Sequence, residues 1–282
     1  MFFSKYIKID AVETLTKTIQ SRGIREQYQI QDVMFVKSGG VRNLLSQSKK
    51  FDMTNGKPIK TLGMYLSPSN EAGDKINTCH NATKICRVIC LKNNGHMRYG
   101  ENTRIQKTRF FYGYPMEFLN ILIGEIVSGS QKAVNETVNV RLNGTSDIDW
   151  SIYINMPLLL ADLSNVNGFY DYTKNPKYKP SEGYQITFSV SENTSLSEAQ
   201  GIIKRGGSIA IVTSKTEHAE LVALNYSKLI NGDISDHRMQ DPKGSIVLLI
   251  YKGKGATKAQ RGTWDGFVKS KSFIEAILEG AK

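Results

Sequence analysis

The chain has 282 residues, 40% of them hydrophobic, with 37 Lys and Arg against 26 Asp and Glu, a formal charge of +11. A core of that size holds without staples, and three cysteines cannot pair off completely, so the small disulfide-framed classes are excluded. The cationic surplus points to a phosphate-bearing partner, nucleic acid ahead of an anionic membrane.

The opening stretch, MFFSKYIKIDAVE, carries Asp10 and Glu13 where a secretory signal needs a sustained apolar run, so an intracellular location is expected. Helical spacing of Val12, Leu15 and Ile19 predicts a helix over Asp10–Arg22, stopped by Gly23. Gln29–Val36 reads as a strand, Phe51–Lys60 as a turn-rich connection and Thr61–Leu66 as a strand. After the cysteine-bearing stretch comes a helix from Pro115 to Val127, with Phe118, Leu119, Leu122, Ile123 and Ile126 on one wide face. The longest apolar runs, Ile121–Ile126 and Ile246–Ile250, are too short to cross a bilayer.

Strands follow at Thr137–Leu142, Gly168–Tyr172, Tyr184–Val190, Ser208–Thr213 and Ser245–Tyr251. Helices are expected at Met156–Leu163, Leu196–Lys204, His218–Leu229 and Trp264–Leu278. Strands alternate with helices, and several are continuous apolar runs, the pattern of a parallel sheet covered on both faces. The expected fold is therefore α/β: a TIM-like (β/α) barrel, irregular or incomplete, forming one domain over residues 1–282. Residues 1–60 would be a helix–strand extension packed on it. A doubly wound open sheet is the alternative, although no glycine-rich phosphate fingerprint follows any strand.

All three cysteines, Cys79, Cys86 and Cys90, fall within a dozen residues. Cys86 and Cys90 are four apart and share a helix face, while Cys79 can fold back from the preceding loop. Three thiolates and an imidazole make a closed zinc site, and three thiolates alone leave one iron of a four-iron cluster open. The fourth ligand is open among His80, His96, His218, His237 and a non-protein group. Around the thiols lie Lys84, Arg87, Lys92, Arg98, Arg104, Lys107 and Arg109, opposed by Glu101 alone. Such cations favour thiolate and suit a polyanion. Lys252, Lys254, Lys258 and Arg261 form a second basic stretch, KGKGATKAQRG.

In a parallel barrel, chemistry gathers where strands end. The strand ending at Leu142 delivers Asn143, Ser146, Asp147 and Asp149, and the next delivers Asp171 and Lys174. Ser189 and Glu192 follow in the same manner, and the segment after Leu229 brings Asp233, Asp236, Arg238 and Asp241. Carboxylates beside bound phosphate are costly unless they act on a base edge, an anomeric carbon, a metal ion or a proton. Each is also an ordinary turn or cap residue type.

The segments CHNATKICRVICL, VRLNGTSDIDW, DYTKNP, TFSVSEN and GDISDHRMQDPKG together resemble the gene product 88 family of bacteriophage proteins, from about Gly63 onward. A more distant similarity is to the queuine tRNA-ribosyltransferases and their phage DNA-acting relatives, barrel enzymes with a three-Cys-plus-His zinc site and working aspartates. That resemblance implies a zinc site of Cys79, Cys86, Cys90 and His96. It makes Asp147 and Asp171 base-recognising or proton-handling groups, and Asp233 or Asp236 the nucleophile. Asn143, Ser146, Asp149, Lys174, Ser189, Glu192 and Arg238 would line the substrate site. Arg87, Lys92, Arg98, Arg104, Lys107, Lys252 and Lys254 would meet nucleic acid.

The expected activity is exchange of guanine in DNA, or tRNA, for a 7-deazaguanine base, in the host cytoplasm. The segment also resembles the radical S-adenosylmethionine barrels, whose three cysteines follow the first strand and bind a [4Fe-4S] cluster. Here the spacing is x6 then x3 instead of x3 then x2. A zinc-stabilised nucleic-acid-binding protein without catalysis is the third expectation.

Overall fold

The computed structural model describes residues 3–24, 43–47, 52–54, 57–93, 95–179, 181–251 and 266–280, without the side chains of 52–54, 57, 95, 96 and 98. The expected strand Gln29–Val36, the basic stretch with Lys252 and Lys254, and the side chains of His96 and Arg98 lie outside what is described.

In chain order the first elements are α1 (Ile9–Ser21), β1 (Leu45–Gln47), β2 (Asp52–Thr54), β3 (Lys57–Met64) and α2 (Lys84–Val88). Then come α3 (Glu101–Gly113), α4 (Pro115–Gln131), β4 (Thr137–Arg141), α5 (Met156–Asp162) and β5 (Val166–Thr173). The chain continues through β6 (Tyr184–Ser189), α6 (Leu196–Lys204), β7 (Ser208–Thr213) and α7 (Lys215–Ala223). It closes with β8 (Leu229–Asn231), β9 (Ile246–Ile250) and α8 (Lys271–Gly280).

The chain divides into two compact units. The first comprises residues 1–80, 96–171 and 181–185. Its strands β3, β4 and β5 run parallel, with Leu62 opposite Val140 and Val140 opposite Phe169. β1 and β2 both pair antiparallel with the outer edge of β3. α4 begins at Pro115, where the absent N–H is no loss, and buries the expected face of Phe118, Leu119, Leu122, Ile123 and Ile126. Phe111 and Phe118 meet the ring of Trp150, at centroid distances of 5.1 and 6.3 Å.

The second unit comprises residues 81–95, 172–180 and 186–282. Here β6, β7, β9 and β8 are parallel neighbours in that order. Ile202 and Ile203 of α6, Leu221 of α7, and Ile274 and Ile277 of α8 pack with Phe188, Ile209, Ile211 and Leu248. Ser195 caps α6 by accepting from Glu198 N, and Ser214 does the same for α7 through Glu217 N. The Ser214 hydroxyl also donates to the Glu217 carboxylate.

The α/β class and the parallel strands are those expected. The sheet itself is open: among the described residues β1 pairs only with β3, and β8 only with β9. A closed barrel needs a parallel neighbour at each of these places. The short antiparallel strands β1 and β2 occupy one of them instead.

Candidate functional site at the carboxyl ends of β3, β4 and β5

Parallel strands of an open α/β sheet bind ligands outside their carboxyl ends. In the first unit that place is occupied by the Asn143–Trp150 loop, built around one buried carboxyl. Asp171, 1% exposed, accepts from Asn143 N at 2.8 Å, Leu142 N at 3.2 Å and the Tyr184 hydroxyl at 2.8 Å. The Arg141 guanidinium lies 4.0 Å away. Burial pushes Asp171 up to about 7, against the downward pull of Arg141 and of these donors. Burial likewise raises Tyr184 well above the usual phenol range.

Asn143 then organises the loop. Its Oδ1 accepts from Ser146 Oγ at 2.8 Å, Ile148 N at 3.0 Å and Trp150 Nε1 at 3.1 Å. Its Nδ2 donates to Ile148 O at 2.7 Å and to the Tyr184 hydroxyl at 3.3 Å. Trp150 thereby couples the loop to the aromatic core.

The loop is also sewn to the segment that leaves β3. Gly144 N donates to Met64 O at 3.0 Å, Asp147 N donates to Thr78 O at 2.8 Å, and the Thr145 hydroxyl donates to Leu66 O. At Gly144 a Cβ would sit 2.3 Å from the Tyr65 ring and 2.7 Å from Met64 O, so only glycine admits this approach. The result is a fixed loop that carries Asp147, half-buried, and Asp149, exposed and capping the turn at Ser151. Asn143 and Ser146 are buried parts of this framework.

The remaining expected residues fall in several places. Arg104 and Lys107 are 4% exposed. Arg104 donates to Met97 O, and Lys107 to Leu44 O at 2.7 Å. Glu125 accepts from Leu44 N and Leu45 N, each at 2.8 Å, so these α3 and α4 side chains hold the start of β1. Burial lowers Lys107 to about 8, opposed by Glu125. Arg104 and Lys107, expected to meet nucleic acid, thus lie buried against backbone carbonyls, whereas a phosphate contact uses an accessible cation. Arg87 is exposed and Lys92 half-buried.

In the second unit Lys174 donates to Ser189 O at 2.9 Å, Ser189 Oγ at 3.0 Å and Val190 O at 3.0 Å. Glu192 accepts from Thr83 Oγ1 at 2.8 Å and Ile85 N at 3.2 Å. Asp233 accepts from Ile250 N at 2.7 Å and lies 3.4 Å from His218 Nε2. Arg238, 1% exposed, donates to Asp241 at 3.0 Å and to Ser235 O. Asp236 is half-buried.

Cys79 is buried in the first unit, its Sγ 3.7 Å from Thr145 O, whereas Cys86 and Cys90 are half-buried in the second. Among the described residues no group of three or more His, Cys, Asp and Glu is placed to hold a metal ion. Sequence reading did not single out Thr78 or Thr145, which have no motif of their own, and it offered Tyr184 as a stacking face for an unpaired base, whereas its hydroxyl bonds Asp171 and Asn143. The Asn143-Gly144 pair was their one legible signal, since it marks a tight turn at a strand end.

No helix among the described residues is long and apolar enough to cross a membrane. No curated protein and no solved structure matches the chain. The sequence model described as Gene product 88 matches residues 42–266, well over half the length and all of the segments quoted above. The chain belongs to the Gene product 88 family of phage proteins.

Proposed function

We propose that this protein is a nucleic-acid-modifying enzyme, and that its reaction is exchange of a guanine base for a 7-deazaguanine. The observation that carries the reading is the fixed Asn143–Asp149 loop at the carboxyl ends of parallel strands, with Asp147 on it and the near-neutral Asp171 behind it. Asp147 recognises the base edge. Asp171 is a positioning residue, holding the Leu142 and Asn143 amides from which the loop starts. The +11 charge supplies attraction to phosphate.

In the reaction a carboxylate attacks the anomeric carbon as the bond to guanine breaks, and guanine leaves with the electron pair. The incoming base nitrogen then displaces the carboxylate. The target nucleotide must leave the base stack for this to happen. Zinc is proposed as a structural ion; no step uses it.

The test is nucleoside analysis by mass spectrometry of DNA and tRNA from cells that co-express the protein with a supply of 7-deazaguanine. A new deazaguanine nucleoside is expected with the wild-type chain and is lost with Asp147→Ala. Its absence, with the protein folded and bound to nucleic acid, would leave the non-catalytic binding reading in its place.

A further inference from the structure

Between Asp74 and Glu101 the sequence holds five Lys and Arg and no carboxylate. Within that stretch the second unit turns two large apolar side chains outward, Val88 at 55% exposure and Leu91 at 58%. Val88 ends α2, a helix of five residues that buries none of them. So short a helix is stable neither by propensity nor by packing. It is anchored instead by Glu192, whose two carboxylate oxygens accept from the Thr83 hydroxyl at 2.8 Å and from Ile85 N at 3.2 Å. Thr83 caps the helix by accepting from Cys86 N at 3.1 Å. Leu91 opens a single 3-10 turn, Leu91–Asn93. The Asn93 amide reaches back to Val88 O at 3.4 Å, so both apolar side chains belong to one closed bend.

The cations stand beside this bend. Lys84 and Arg87 are both exposed. Lys84 and Val88 are four apart within α2, which sets their Cβ atoms ~5–6 Å from each other. Size decides what such a surface can enter. A stable protein–protein contact takes ~20–30 residues a side, and helices that lie in a membrane surface commonly run to ~20–30 residues. A base step of duplex DNA, with its pairs ~3.4 Å apart, opens for one or two apolar side chains provided cations hold the flanking phosphates.

We propose that Val88 and Leu91 form an apolar wedge that enters and unstacks a base step of duplex DNA, with Lys84 and Arg87 on the neighbouring phosphates. This inference rests on the nucleic-acid-binding part of the reading above and makes no use of base exchange. The apolar burial that two half-exposed side chains still have to gain is similar to the cost of opening one step. The wedge therefore shows itself in the DNA more than in the affinity.

The full-length chain is tested on a short duplex with one central 2-aminopurine at a pyrimidine–purine step, where unstacking is easiest. Fluorescence of the base, which rises on unstacking, is read beside binding anisotropy at several salt concentrations. Wild-type protein should bind and raise the fluorescence. Val88→Ser/Leu91→Ser should lose the rise, with affinity changed less than about tenfold and the salt slope kept. Lys84→Ala/Arg87→Ala should lower that slope by ~2. Tight binding without a rise, or a rise that the Val88→Ser/Leu91→Ser variant keeps, would overturn the wedge alone. So would anionic vesicles that compete for the same two side chains while the duplex stays stacked. No binding to duplex at any salt would overturn the wedge together with the reading it rests on.

Discussion

Asp171 is where position in sequence and role in structure part company. Its place at a strand end was legible; that its oxygens are committed to Leu142 N, Asn143 N and Tyr184 was not. It holds its proton up to about pH 7 when folded, against about 3.9 for an unfolded aspartate. Between those values the folded chain binds the extra proton, so this group makes stability fall as pH rises from about 4 to about 7, and adds no slope above that. Asp171→Asn should abolish this component, at most about 1.4 kcal/mol per pH unit. Urea midpoints of both proteins across that range check it, and parallel pH profiles would refute it.

Lys107 and Arg104 carry the opposite lesson. Both share one stripe of α3 with Thr108 and Phe111, and a stripe that begins with cations gives no sign that it is buried. Lys107→Ala should cost about 2–4 kcal/mol by leaving Leu44 O and Glu125 without their cation. It should leave the salt dependence of nucleic-acid binding unchanged.

At the scale of elements, the sequence was most informative where apolar periodicity and caps coincide. α6 and β7 have the expected bounds, and α4 runs one turn longer than expected. The helix expected from His218 begins at Lys215, because Ser214-x-x-Glu217 is a capping box that apolar spacing alone passes over. Ser214→Ala should cost ~1 kcal/mol in thermal unfolding. The Phe51–Lys60 stretch, expected as a connection, contributes β2 and the start of β3, with Thr54 opposite Lys57. Asn55-Gly56, in the sequence between them, is a dipeptide that favours hairpin turns. The site loop depends on one close approach, and Gly144→Ala should push it off Met64 and Tyr65. A loss of about 1–3 kcal/mol is expected from that crowding, together with loss of base exchange. Full activity of that variant would show that the junction is not needed.

For the whole molecule, the parallel α/β class was legible in the continuous apolar strands, while barrel closure was not. Closure depends on what covers the edge of β3, and β1 and β2 are three residues each, too short to give a periodic signal. The cationic surplus was likewise legible as a total but not as a surface, since some of it is spent on backbone carbonyls. The exposed cations of α2 remain available. Lys84→Ala and Arg87→Ala should each lower the slope of log binding constant against log salt by ~1 without changing stability. The central claim is that a carboxylate on the Asn143–Asp149 loop takes part in exchanging a base. Release of isotope-labelled guanine from DNA by the purified protein and a 7-deazaguanine tests it most directly. Wild-type protein should release label, and Asp147→Ala should release about a hundredfold less while melting and binding DNA as the wild type does. Equal release from both, or none from the wild-type protein bound to its DNA, would contradict the account.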